Sequence, residues 1–211
     1  MLTKWVNMEF KGEGMPGYRV CEYLIIVNPH DELANKIAEV RTEFNTEFKI
    51  TNAPVVKPNM ALANFIQYEM MEERILNRLQ TIAMGLTPFK VELKNFGSYP
   101  THTIFINITS KLPVQNVVKQ IRTDTQRLMK FDNENKPYFF IEPHITIARK
   151  LKPWQYEAGW LKYSHKSFTG RFIANSMVVL KRTVGEKTWK AINRFDFNNM
   201  PVNTKQGELF N

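Results

Sequence analysis

Lys57-Pro58-Asn59-Met60-Ala61-Leu62-Ala63 and Glu142-Pro143-His144-Ile145-Thr146-Ile147-Ala148 share one frame at an offset of 85 residues. Each reads proline, a polar residue, an apolar one, a small one, an apolar one, alanine. Each also follows a strand-like run and a helical stretch, so the chain reads as two copies of a strand–helix–strand unit. The separation is 36 residues from Tyr23 to Asn59 and 41 from Thr103 to His144. Two such units facing one another bring the motif strands to a shared groove. The expected fold class is therefore α+β: two pseudo-symmetric lobes of antiparallel strands, with flanking helices, enclosing a central groove.

Local patterning fills in the frame. Tyr23 to Val27 is a continuous β-rich apolar run stopped by Asn28-Pro29, which predicts a buried strand. Leu33, Ile37, Val40 and Phe44 are spaced as one helical stripe, with Asp31 as its expected N-cap. Met71, Ile75, Leu79 and Ile82 predict a second helix from Met70 to Met84, stopped by Gly85. Phe89 to Leu93 alternates like a half-buried strand, Asn95 to Pro100 reads as a turn, and Thr103 to Ile108 as another strand. Val114, Val117, Val118, Ile121 and Leu128 mark a third helix, entered through Pro113. FDNENKP is then a polar turn before a strand YFFIEPHITIA. Arg171 to Ala174 and Met177 to Lys181 complete the strand-like runs. The expected organisation is an irregular leader over 1–19, one bilobal domain over 20–197, and a polar tail over 198–211 that frays.

Composition narrows the class. Of 211 residues 43% are hydrophobic and 12% aromatic, ample for a packed interior. Lys plus Arg number 29 against 20 Asp plus Glu, a net charge of +9 that favours polyanionic partners or simply solubility. Cys21 is the only cysteine, which excludes an intrachain disulfide and a cysteine-based metal site. The N-terminal stretch has no apolar core of a secretory signal, and no apolar run is long enough to cross a bilayer, so the expectation is a cytoplasmic protein with no membrane partner. GxxxxGK[ST], GxGxxG and HExxH are absent, which disfavours nucleotide-driven, Rossmann and zincin chemistry.

In a strand, residues i and i+2 face the same way, so His144 and Thr146 project together while Ile145 and Ile147 face the opposite side. An imidazole beside a hydroxyl suits a phosphate: the ring moves a proton near neutral pH and the hydroxyl hydrogen-bonds a phosphoryl oxygen. A lone strand histidine is more often structural; the repeated frame is what lifts His144 above that reading.

The arrangement resembles the two-histidine phosphoesterase superfamily, which includes the 2′-5′ RNA ligase-like proteins and cyclic phosphodiesterases. The resemblance spans residues 20–185 and rests on paired His-x-Thr/Ser tripeptides in duplicated lobes. PHITIAR, residues 143–149, matches the second motif in full. The resemblance thus implies proton transfer for His144 and phosphate binding for Thr146, acting on a 2′,3′-cyclic phosphate or a 2′-5′ linkage. It implies no metal and no cofactor, and RNA or a nucleotide phosphodiester as partner. KPNMALANF, residues 57–65, stands in the place of the first motif but departs from it. Asn59 has no accessible pKa and Ala61 offers a phosphate nothing. Three readings stay open: an enzyme slowed by that loss, a silent member that binds RNA or a nucleotide, or a structural or interaction protein whose groove is vestigial.

Further candidates are secondary. His102 opens a strand beside the motif strands, and its parity groups it with Ile104, Ile106 and Ile108. That makes it a structural histidine first and a stand-in second. His30 and His165 read as exposed. Lys57 shares the face of Asn59 and is a candidate phosphate contact. Arg149 has odd parity from His144, so its contact with substrate requires a bulge or a strand end. Lys181 and Arg182 end a strand-like run at the expected groove rim. Solvated surface charge is the competing reading for each of these cations. Trp154, Tyr156 and Trp160 are candidates for base stacking, but the i, i+4 spacing of Tyr156 and Trp160 favours a buried helical stripe.

Overall fold

A computed structural model of the chain describes residues 17–51 and 56–200, and the expected leader and polar tail fall largely outside them. The elements run β1 (Val20–Val27), α1 (Asp31–Glu47), β2 (Met60–Tyr68), a single 3-10 turn, α2 (Glu72–Gly85), β3 (Phe89–Tyr99) and β4 (Thr103–Ile108). They continue α3 (Lys111–Met129), β5 (Tyr138–Phe139), β6 (His144–Arg149), α4 (Pro153–Tyr163), β7 (Thr169–Ala174), β8 (Ser176–Thr183) and β9 (Lys190–Asp196).

The strands form two antiparallel sheets, ordered β5-β2-β1-β8-β9 and β6-β4-β3-β7. β1 lies between β2 and β8, which explains its near-continuous burial. Helices then cross over. α1, which leaves β1 of the first sheet, packs against β6 and β7 of the second. α3, which leaves β4 of the second sheet, packs against β2 of the first. Each copy of the repeat thus lays its helix on the other copy's motif strand. β2 and β6 also approach one another directly, although they belong to different sheets.

Several expectations are corrected. Asp31 is the first residue of α1 rather than its N-cap, which is His30; Asp31 and Glu32 instead place carboxylates in the first turn, where the helix dipole favours them. Within α1 the buried stripe is Leu33, Ala34, Ile37, Arg41 and Phe44, with Arg41 buried where Val40 was expected. Asn95–Pro100 is not a turn. β3 continues to Tyr99, and Asn95 takes a left-handed φ of 57° at a register shift between Leu93 and Phe96. The Asn, Gly and Ser there mark an irregularity within a strand; the reversal falls at Pro100–His102. YFFIEPHITIA is not one strand either. β5 pairs with β2 and β6 with β4, so the chain changes sheets across residues 140–143, where Pro143 has no N–H for a ladder. β9, poor in apolar residues and on a sheet edge, carries too weak an alternation to be read.

The second-sheet core is aromatic. Phe44 is fully buried, with ring centroids 4.6 Å from Phe48 and 5.1 Å from Tyr163. Gly159 of α4 makes this possible, since a Cβ there would lie 2.8 Å from the Phe44 ring. Tyr156 is buried and Trp160 partly so, while Trp154 is exposed; the i, i+4 pair belongs to the core stripe. Phe44→Ala is expected to lower the unfolding free energy by about 3–5 kcal/mol. Urea titration measures it, and a loss below about 1 kcal/mol would contradict this account of the core.

Candidate functional site

The motif strands share an irregularity that their sequences do not announce. In β6, Thr146 pairs with Phe105 and Ala148 with Ile104, leaving Ile147 as an extra residue. In β2, Ala61 pairs with Ile26 and Ala63 with Ile25, leaving Leu62 extra. Leu62 and Ile147 are again 85 residues apart, so the bulge recurs at the same place in both copies. A bulge shifts the side-chain alternation by one. Arg149 pairs with Thr103, two residues from Phe105, and so joins His144 and Thr146 on one face. Its odd parity is cancelled. By the same shift Asn64 joins Asn59 and Ala61 in the first copy.

His144 is held by its neighbours on every side. Its Nδ1 lies 2.8 Å from the carbonyl oxygen of Glu142. A carbonyl only accepts, so Nδ1 carries the proton and Nε2 presents its lone pair. The connector that supplies this carbonyl is fixed by α3: Lys111 pairs with the Glu142 carboxylate at 2.7 Å and Gln115 donates to the Ile141 carbonyl at 2.9 Å. The imidazole centroid sits 4.6 Å from Phe105 and 5.4 Å from Tyr99. Phe105 lies flat enough for this because its cross-strand partner is Gly97, where a Cβ would fall 2.6 Å from the Phe105 ring. Burial lowers the His144 pKa below its ordinary value of 6.5, against an opposing pull from the Glu142 carbonyl. The ring is therefore neutral at pH 7, half-buried rather than sealed, and suited to accept a proton.

Asn59 repeats the geometry of His144. Its Nδ2 donates to the carbonyl of Lys57 at 2.7 Å, two residues back, as His144 Nδ1 does to Glu142. The asparagine amide thus fills the place of an imidazole Nδ1 and has no atom in the place of Nε2. Ala61 stands where Thr146 has its hydroxyl. The two strands thus match in local backbone geometry and differ in the side chains they present.

Farther along the same faces the groups turn ionic. Asn64 donates to Glu22 at 3.0 Å, and Arg182 Nε donates to the same carboxylate at 2.7 Å. The Arg182 guanidinium lies 4.4 Å over the Trp189 ring. Arg149 feels both partners: burial lowers its pKa most, Arg182 adds to that, and Glu22 opposes it. β6 of one sheet and β1 and β8 of the other therefore converge there. The remaining candidates fall apart from this set. Lys181 is registered with Tyr23, on the helix-covered face of its sheet, where it pairs with Glu69 at 2.7 Å and Glu72 at 2.5 Å. It points away from the face that carries Glu22, which Arg182, one residue on, shares. His102 is not on the buried aliphatic face. It is exposed in the turn before β4, with Nδ1 2.6 Å from the Thr103 hydroxyl. Lys57 is exposed at the approach to β2.

Sequence reasoning missed Glu22, Asn64, Tyr99, Phe105 and Arg41. A lone carboxylate in the apolar run VCEYLIIV and an arginine at stripe spacing from Leu33 and Ile37 were the available signals. Among the described residues no three His, Cys, Asp or Glu side chains gather into a metal-binding set, and no helix is long and apolar enough to cross a membrane.

Comparison with known proteins gives the family and the fold. The family model described as the 2′-5′ RNA ligase superfamily matches residues 29–186. The chain belongs to that superfamily. A Bacillus licheniformis relative that carries a phosphoesterase name is 23% identical over 166 residues, covering 72% of this chain and 87% of its own length. Two solved structures show the fold. Escherichia coli LigT complexed with 3′-AMP superposes with a TM-score of 0.58 at 12% identity, covering 85% of this chain and 98% of LigT. TT0787 of Thermus thermophilus gives 0.60 at 16% identity, covering 84% of this chain and 98% of its own.

The His144 shift has a sign that can be checked. With the folded value below 6.5, the unfolded chain binds the proton first as pH falls. This ring's contribution to stability is present above 6.5 and is lost as pH drops through the folded value. Proton–nitrogen NMR of the His144 ring should show the Nδ1–H tautomer at pH 7 and a midpoint below 6.5; a midpoint above it would contradict the site's burial.

Proposed function

We propose that this protein handles the phosphodiester at an RNA end or in a nucleotide, without a metal ion, with 2′,3′-cyclic phosphate and 2′-5′ linkages as the substrate class. The observation that carries the reading is the pairing of His144 and Thr146 on one face with Arg149, opposite a strand that repeats their geometry. His144 Nε2 takes a proton from the attacking water or hydroxyl. Thr146 donates to a phosphoryl oxygen, and Arg149 offsets the phosphate charge. A second group is needed to protonate the leaving oxygen, and Asn59 has no proton to exchange.

That deficit favours a second reading specifically: a member that binds the RNA end or nucleotide and turns it over very slowly or not at all. General acid–base assistance is typically worth about 10²–10⁴-fold. Losing one of two such groups, together with the Ala61 hydroxyl, sets turnover low while the groove and its cations remain.

Incubation with a nucleoside 2′,3′-cyclic phosphate and a 2′-5′-linked dinucleotide, in the presence of a chelator, tests both. Turnover is expected to fall about 10²-fold or more in His144→Ala; turnover unchanged by that substitution would sink the catalytic reading. No turnover with salt-sensitive binding of the same ligands supports the binder. Asn59→His with Ala61→Thr is expected to raise turnover by about 10²-fold or more, because the new imidazole Nδ1 inherits the Lys57 carbonyl. A folded double variant with no gain would break the equivalence of the two motifs.

A further inference from the structure

Arg41 is the one residue of α1's buried stripe that carries a charge. It is 8% exposed, and its guanidinium reaches no carboxylate among the described residues. Nε donates to the carbonyl of Thr146 at 2.8 Å, and Nη1 donates to the carbonyl of Val56 at 3.0 Å. One acceptor is in the middle of the intact motif. The other is three residues before Asn59, on the segment that leads into the degenerate motif. Burying a guanidinium without a counter-charge is costly, and hydrogen bonds to two carbonyls offset only part of that cost.

We infer that Arg41 is a positioning residue for the proposed phosphodiester site: its rigid fork clamps the backbones of the two motif segments together and so sets the width of the groove that receives a phosphate. This rests on the reading of the preceding section. A planar fork with two donors in fixed directions can hold two carbonyls from different elements; an ammonium on a flexible stem concentrates its donors at one atom. Desolvation, with repulsion from Arg149, lowers the Arg41 pKa to about 10, so it stays charged at neutral pH. Two cationic side chains therefore converge on the Thr146 strand with no acid beside Arg41 among the described residues, an arrangement that a bound phosphate relieves. The groove keeps an electrostatic reason to hold an anion even though Ala61 has lost its hydroxyl.

The test compares the full chain with Arg41→Lys and Arg41→Met by amide hydrogen exchange and by calorimetric titration with inorganic phosphate and a nucleoside 3′-phosphate. In both variants, exchange is expected to speed at least tenfold in residues 56–60 and 144–149 together, with the β8–β9 ladder unchanged. Phosphate affinity is expected to fall at least tenfold even in Arg41→Lys, which keeps the charge and loses the fork. If Arg41→Met fails to fold, Arg41→Lys decides. A folded Arg41→Lys with wild-type exchange in either segment, with exchange faster throughout the chain, or with wild-type phosphate affinity overturns the inference. Wild-type protein that binds neither phosphate nor nucleotide would instead sink the functional reading, while the exchange result still decides whether Arg41 is the clamp.

Discussion

One surplus residue in each motif strand governs what this molecule can present to a ligand. A regular strand would send Arg149 into the interior with Ile145 and Ile147, and Asn64 likewise away from Asn59. The bulges at Ile147 and Leu62 turn both residues back toward the groove, while the extra apolar side chain at each bulge stays fully buried. The anchoring is mutual at β2, where the Phe140 N–H from the sheet-switching connector donates to the Leu62 carbonyl at 2.9 Å. The same connector supplies, two residues later, the carbonyl that fixes the tautomer of His144. Strand irregularity, sheet crossing and ring orientation are thus parts of one local construction.

The two halves of the groove have diverged in charge more than in shape. The β6 half keeps an imidazole, a hydroxyl and an arginine in a row. The β2 half has Asn59, Ala61 and Asn64 at the corresponding places, and Asn64 shares the Glu22 carboxylate with Arg182. Cationic and hydroxyl groups thus gather on the β6 side. Geometry preserved by Asn59 and chemistry lost by it have separate causes: an amide nitrogen meets the same backbone carbonyl as an imidazole, but an amide does not titrate near neutrality.

Much of this was legible in the sequence because it depended on repetition. The 85-residue offset located both motif strands, and apolar spacing located the helices and most strands, while it ran β5 and β6 together, stopped β3 short and missed the polar-edged β9. Reading failed where one residue carried the information. Asn95 looked like a turn residue, but its left-handed backbone sits at a register shift inside a strand that runs on to Tyr99. Lys181 and Arg182 both read as rim residues, because a strand-like run without a fixed phase does not show which of two adjacent side chains shares the face of Glu22. His102 followed strict alternation into a turn that alternation does not describe. Arg41 stands at stripe spacing from Leu33 and Ile37, but nothing in an apolar pattern shows that two backbone carbonyls from distant segments wait at that position.

The exchange of helices between the two repeats also bears on how such a chain could come apart. If the molecule were divided at the Pro100 reversal, the first portion would keep α1 without β6 and β7 to cover Leu33, Ile37 and Phe44. The second would keep α3 without β2 beneath it. Neither portion encloses its own interior, so the economical partner for either is a complementary fragment or a second copy supplying the missing helix. An interlocked pair of identical halves would carry two equal motifs across a twofold axis; joined in one chain, the halves are free to differ, as Asn59 and His144 do.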